Sequence, residues 1–179
     1  MRLKLSTHWQ NSQKKPKKLT AYDIVSVGLM VAALECAKTA LAFLPNVELV
    51  SLLIILFTLV LGRRVYYAIV AFVLVEGMIY GFGLWWVMYL YAWPLLAWLT
   101  RRLRKQKDAL TFAVLSGGFG LAFGALCSIP YFIAGGPAAG FTWWVAGIPF
   151  DIVHGISNFV LMLCLYKPVR SVLERFGPR

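Results

Sequence analysis

The stretch Leu84-Trp-Trp-Val-Met-Tyr-Leu-Tyr-Ala-Trp-Pro-Leu-Leu-Ala-Trp-Leu-Thr100, followed by Arg101-Arg102-Leu103-Arg104-Lys105-Gln106-Lys107-Asp108, decides the fold class. An apolar run with no charge, stopped by a basic cluster, is the pattern of a membrane span ending in a cytoplasmic loop. Working outward, the pattern recurs. Spans are expected at Tyr22–Leu44, Val47–Gly62, Val65–Tyr80, Leu84–Thr100, Ala109–Ala134, and from Thr142 or Pro149 to Tyr166. Their ends are marked by Pro45-Asn46, Arg63-Arg64, Gly81-Phe82-Gly83, the basic run, Gly135-Gly136-Pro137 and Lys167-Pro168. A bilayer core needs about 20 helical residues. Spans two to four are therefore short, which implies local thinning of the membrane or boundaries a few residues off.

The 179 residues are 60% hydrophobic, with a mean hydropathy of +0.73. That composition lies outside the ordinary soluble range and fits a polytopic membrane protein. The net charge of +11 would suggest nucleic acid, but its distribution argues against that partner. Apart from Lys38, every Lys and Arg falls in the tail, at 63–64, in 101–107 or after Tyr166. These are alternate connections, so both termini are expected to be cytoplasmic. The expectation is an all-α integral membrane protein of six transmembrane helices, multi-pass in a prokaryotic cytoplasmic membrane. Residues 1–20 form a basic tail lying at the anionic inner leaflet, 21–168 the membrane domain and 169–179 a second cytoplasmic tail. The polar start of the tail lacks the apolar core of a signal peptide.

Cys36, Cys127 and Cys164 all lie in apolar segments without metal spacing and read as small buried hydrophobes. The last apolar segment opens with Phe141-Thr-Trp-Trp-Val-Ala-Gly-Ile-Pro-Phe-Asp-Ile-Val-His-Gly-Ile-Ser-Asn158. Asp151, His154 and Asn158 share one helical face, and Pro149 suits a helix's first turn. A polar face in lipid turns inward. It either locks helices together or forms a binding wall under an aromatic lid, Trp143 and Trp144. Asn46, Glu48, Trp85, Trp86, Tyr89 and Tyr131 lie toward the same outer side, where interfacial belt and ligand stacking are both open readings.

Ser116-x3-Gly120-x3-Gly124-x3-Ser128 is a small-residue ridge suited to close helix contact, with internal packing preferred over a partner surface. Gly77 and Gly81 repeat the spacing. Lys38 could pair with Glu35 on its own helix or with Glu76.

Catalysis is not expected. Ser116-Gly117-Gly118 with His154 offers the ingredients of a rhomboid-like dyad, but Val114 stands where that motif needs glycine. No metal cluster is expected, since His154 is the one histidine within the spans and His8 lies in the tail. Phosphate loops are absent. An ion-coupled secondary transporter using Glu35, Glu76 and Asp151 is the alternative, against which stands the lack of internal repeats.

Six spans, cytoplasmic ends, a basic tail, Ala33-x3-Ala37 and an outward aromatic pocket resemble the substrate-binding S components of energy-coupling factor (ECF) vitamin transporters. The resemblance covers 21–168. Phe43-Leu-Pro-Asn-Val-Glu-Leu-Val-Ser-Leu-Leu53, Glu76-Gly-Met-Ile-Tyr-Gly-Phe-Gly-Leu-Trp-Trp86 and Gly147-Ile-Pro-Phe-Asp-Ile-Val-His154 look like the cobalamin subgroup. The resemblance implies capture of a vitamin from outside, docking onto a transmembrane coupling subunit that carries two ATPases, and delivery inward driven by their ATP hydrolysis. The chain itself would hold no cofactor. Ala33 and Ala37 would be docking contacts. Asn46, Glu48, Trp85, Trp86, Tyr89, Tyr131, Trp143, Asp151, His154 and Asn158 would be pocket residues. Cobalamin is the implied ligand, with thiamin and pyridoxine, cationic rings suited to Trp and a carboxylate, left open. For His154, a hydrogen bond to Asp151 is expected ahead of a role as a cobalt ligand.

Overall fold

A computed structural model describes residues 20–176. The basic tail read at 1–20 lies outside the described residues except for Thr20, as do 177–179. The described chain is all helical, with no strand: α1 (Ala21–Ala40), α2 (Val50–Leu61), α3 (Arg64–Tyr80), α4 (Leu84–Arg102) and α5 (Ala109–Phe176).

α1 starts at a capping box, in which the Thr20 hydroxyl accepts from the Asp23 amide at 3.2 Å and the Asp23 carboxylate accepts from the Thr20 amide at 2.8 Å. Its buried residues, Met30 and Leu34, are one turn apart. On α3, Val65, Ala68, Ile69, Phe72, Val73, Glu76 and Gly77 form one buried stripe, and on α4 Met88, Ala92, Trp93, Leu96, Ala97 and Thr100 form another. Pro94 is carried inside α4.

α2 is the axis of the bundle, touching each of the other four elements. Every residue from Val50 to Thr58 is buried except Leu53. Its Thr58 hydroxyl donates to the Ile54 carbonyl at 2.6 Å, while the buried Ser51 hydroxyl has no partner among the described residues. The second expected span is therefore a helix of 12 residues enclosed by its neighbours.

α5 differs most from expectation. In place of a connection over 135–141, the backbone leaves helical geometry only at Gly136, at φ 77° and ψ −178°. Glycine reaches that φ without a Cβ clash, and Pro137 can restart the helix at once because a first-turn residue needs no amide donor. α5 therefore consists of two arms, 109–135 and 137–176. Pro149 is interior to the second arm, not at a first turn. Lys167-Pro168 does not close it either: Val169 and Leu173 pack on the core, and their burial offsets the hydrogen bond lost at Pro168. Residues 169–176 thus continue the last helix. α1, in turn, ends at Ala40 and not at Leu44, leaving 41–49 as a connection.

The small-residue ridge joins the two arms. A Cβ on Gly120 would lie 2.8 Å from the His154 carbonyl oxygen, and one on Gly124 would lie 2.2 Å from the Asp151 carboxylate. Internal packing accounts for the ridge. Gly77 likewise receives Phe82 and Trp86. The outer faces are apolar: Ile24, Val25 and Leu29 on α1, Tyr67, Val70 and Leu74 on α3, Val87 and Leu90 on α4, and Ile152, Ile156 and Val160 on α5 are exposed. Among the described residues one helix, Ala109–Arg175, is long and apolar enough to cross a membrane.

Candidate functional site

Short turns make successive helices antiparallel, so the chain has two ends. Arg63, Arg64 and the 101–105 run gather at one. The connection 41–49, the end of α3 and the start of α4 gather at the other. That second end holds a cavity of about 390 Å³, within the range of small-molecule sites.

The connection is built to form its rim. Asn46 adopts φ 59°, a left-handed conformation that asparagine tolerates. Its carbonyl accepts from the Ser157 hydroxyl at 3.0 Å, tying the turn to the second arm of α5. Glu48 then does two things. One carboxylate oxygen accepts from the Ser51 amide at 2.8 Å, satisfying an orphan donor in the first turn of α2. The other lies 3.2 Å from His154 Nε2, and both side chains are largely buried, at 18% and 5% exposure. Phe123 packs edge-on to the His154 ring, with centroids 5.0 Å apart.

Lys38 lines the opposite wall. Its ammonium pairs with Glu76, which is fully buried, and Glu35 lies against the same carboxylate. Between the two partners left open by sequence, Glu76 is the one engaged. The lysine lies over the Tyr80 ring at 4.6 Å and near the Tyr89 and Trp85 rings at 5.5 and 5.9 Å, an aromatic cage for a cation. Phe72 and Trp93 complete the apolar lining. Trp93 Nε1 is buried and finds no partner among the described residues. The cavity therefore offers the remaining Lys38 N–H groups to a ligand carrying acceptors.

The expected site residues divide. Asn46, Glu48, Tyr89 and His154 line the cavity. Trp85 stands behind Tyr89, edge to face at 5.5 Å. Asp151 does not hold His154. Its Oδ1 accepts from the Gly124 amide at 2.8 Å, because the bare glycine lets the arms close up there. Asp151 and Trp143 line a second hollow of about 310 Å³, which shares only Phe123 with the first. Trp143 stacks on Tyr131 with centroids 3.9 Å apart, so the expected lid does not cover the cavity, and Trp144 tilts against Phe141. Trp86 is structural, donating Nε1–H to the Val73 carbonyl at 2.7 Å. Asn158 is buried and lines neither hollow, and its amide nitrogen has no partner among the described residues.

Ala33 is half-buried against the core and Ala37 is half-buried, so neither is a fully open face. Ser116 Oγ is buried without a partner among the described residues while His154 turns to Glu48, so the two are not hydrogen-bonded. Cys36 and Cys164 are exposed, against the expectation of burial, and only Cys127 is buried.

Lys38, Tyr80, Trp93 and Phe123 were missed as site residues. Lys38 carried a readable signal, being the one cation placed inside an apolar segment. The aromatic three carried none, because nothing in their spacing distinguishes them from core. Among the described residues no group of three His, Cys, Asp or Glu side chains converges to cage a metal. Compared with protein-family models, curated proteins and solved structures, the chain matches none.

Proposed function

We propose that this chain is a six-span membrane protein with cytoplasmic termini, acting as the vitamin-binding S component of an ECF-type importer. The two arms of α5 supply spans five and six. The apolar exposure on every helix around α2 supports lipid as the surrounding medium, since a monomer in water rarely exposes so much contiguous apolar surface. With the basic end facing the cytoplasm, the cavity opens outward.

One observation carries the functional reading: a hollow at the non-basic end, with the Lys38–Glu76 pair on one wall and the Glu48–His154 pair on the other. Ionisable groups at membrane depth are costly to keep and mark a solute path. Ligand acceptors would bind Lys38, the Asn46 amide would add a further contact, and Tyr80 and Tyr89 would pack on a ring. The partners are a transmembrane coupling subunit and two ATPases, with α1 carrying the docking residues Ala33 and Ala37.

Ligand size bears on Phe123. Thiamin or pyridoxine matches the first hollow alone. Cobalamin, several times larger, is taken either by one edge or by both hollows after Phe123 moves aside. The test is reconstitution: the chain alone in vesicles should bind vitamin without accumulating it, and ATP-dependent uptake should appear when a coupling subunit and ATPases are added. Accumulation by the chain alone sinks the reading.

The Glu35–Lys38–Glu76 cluster favours a second reading, an ion-coupled carrier, because a second carboxylate, Glu35, lies against the one that Lys38 pairs with. Uptake that survives ATP depletion and collapses with an ionophore would select it.

A further inference from the structure

At the basic end, a trough of about 610 Å³ is bracketed by Arg63, Arg101, Arg102, Arg104 and Lys105. None of these five belongs to an ion pair among the described residues. The acids nearby are taken. Asp23 pairs with Arg64, and Asp108 caps α5 by accepting from the Thr111 amide and hydroxyl at 2.7 and 2.8 Å. The charge of the trough is thus left uncompensated by the described residues.

Two of the guanidiniums are held in place. Arg101 lies over the Tyr66 ring at 5.9 Å and Arg102 over Trp98 at 4.7 Å. A stacked guanidinium keeps its edge donors free, and that fork matches the oxygens of a phosphate. The trough also continues into apolar surface. Tyr67 and Val70 on α3, and Trp98 and Leu90 on α4, are exposed along the helices that lead away from it. A soluble phosphate would use only the charged part. A lipid would use both.

We propose that this trough binds the phosphate headgroup of an anionic phospholipid, with the acyl chains lying along the exposed faces of α3 and α4. The proposal rests on the membrane placement argued above, and its test separates the two. Full-length protein in nanodiscs or detergent is titrated with phosphatidylglycerol or phosphatidylcholine, and bound lipid is counted by native mass spectrometry. Partition of the protein into the detergent phase is recorded alongside, and failure to partition would sink the membrane placement itself.

Phosphatidylglycerol should be retained over phosphatidylcholine. In the double variant Arg101→Gln/Arg102→Gln its affinity should fall roughly thirtyfold, the effect of two basic residues at an anionic surface. The variant Lys167→Gln/Arg175→Gln removes the same charge away from the trough and should bind like the parent. Arg101→Lys/Arg102→Lys keeps the charge but loses the fork, and should fall between. The thermal unfolding midpoint reports that each variant is folded.

Equal losses in the trough and control variants would overturn the proposal in favour of diffuse attraction. Competition by inorganic phosphate as strong as by phosphatidylglycerol would overturn it in favour of a soluble anion. Unchanged lipid affinity with loss of the coupling subunit would overturn it in favour of an acidic protein partner.

Discussion

His154 Nε2 lies 3.2 Å from Glu48 Oε1, joining two residues 106 positions apart and pinning the rim of the cavity to the second arm of α5. The contact does for the site what the Ser157–Asn46 hydrogen bond does for the backbone beside it. Removing Glu48 leaves the buried His154 ring nitrogen unpaired, and removing His154 leaves Glu48 with the Ser51 amide alone. His154→Ala should lower stability by about 1–3 kcal/mol and weaken vitamin binding more than Asp151→Ala does. Thermal unfolding and equilibrium binding on the two variants check this. Equal effects on binding would place His154 outside the site.

The Lys38–Glu76 pair separates stability from recognition. Lys38→Met strands a fully buried carboxylate and should cost about 3–5 kcal/mol. The double variant Lys38→Met/Glu76→Gln should regain most of that loss, because no charge is left stranded. It should still bind vitamin poorly, since the ligand's donor is gone. Recovery of both properties would make the lysine merely structural.

Close contact of the α5 arms depends on glycine. Gly124→Ala drives a methyl into the Asp151 carboxylate, and Gly120→Ala drives one against the His154 backbone. Each should destabilise by about 1–3 kcal/mol. Gly118→Ala meets nothing within 4 Å and should be neutral or slightly stabilising. Denaturation midpoints on the three variants decide the point.

Phe123 divides the two hollows. Phe123→Ala should merge them and raise the affinity for bulky ligands relative to small ones. Phe123→Trp should do the reverse. Competition between cobalamin and thiamin across the three proteins measures the shift, and a constant ratio would mean that Phe123 is no partition.

Asp108 starts α5, and the Thr111 amide and hydroxyl hold its carboxyl below the usual carboxylate range. A depressed pKa in the folded state means the cap contributes fully above the unfolded value of about 3.9 and is lost as the pH falls through the folded value. Protection of the first-turn amides of α5 should therefore decline in strongly acidic solution. Asp108→Asn, which caps without titrating, should flatten that decline in hydrogen exchange.

Legibility of the fold in the sequence varied from element to element. α3 and α4 begin and end within two residues of expectation, because Arg63-Arg64, Gly81-Phe82-Gly83 and the 101–107 run are local stop signals. In α5 the break expected at Gly135-Gly136-Pro137 is present, at Gly136, but the connection expected over 135–141 is not. One left-handed glycine followed by a proline at a helix start turns the chain without one. In the site, Glu48 and His154 were both named, yet their pairing was not. Asp151, one turn from His154, was the nearer candidate and is held instead by Gly124.

The sequence by itself determined the helical character, the positions of most helix ends and the segregation of basic residues, all of which follow from residues close together in the chain. Only the tertiary structure decided that α2 is enclosed, that Lys38 chooses Glu76 over Glu35, and that Asp151 and Trp143 face a different hollow from Glu48 and His154. The reason is physical. A helix fixes which residues share a face, but the partner of that face depends on how closely neighbouring backbones approach, and here glycines without side chains set that distance.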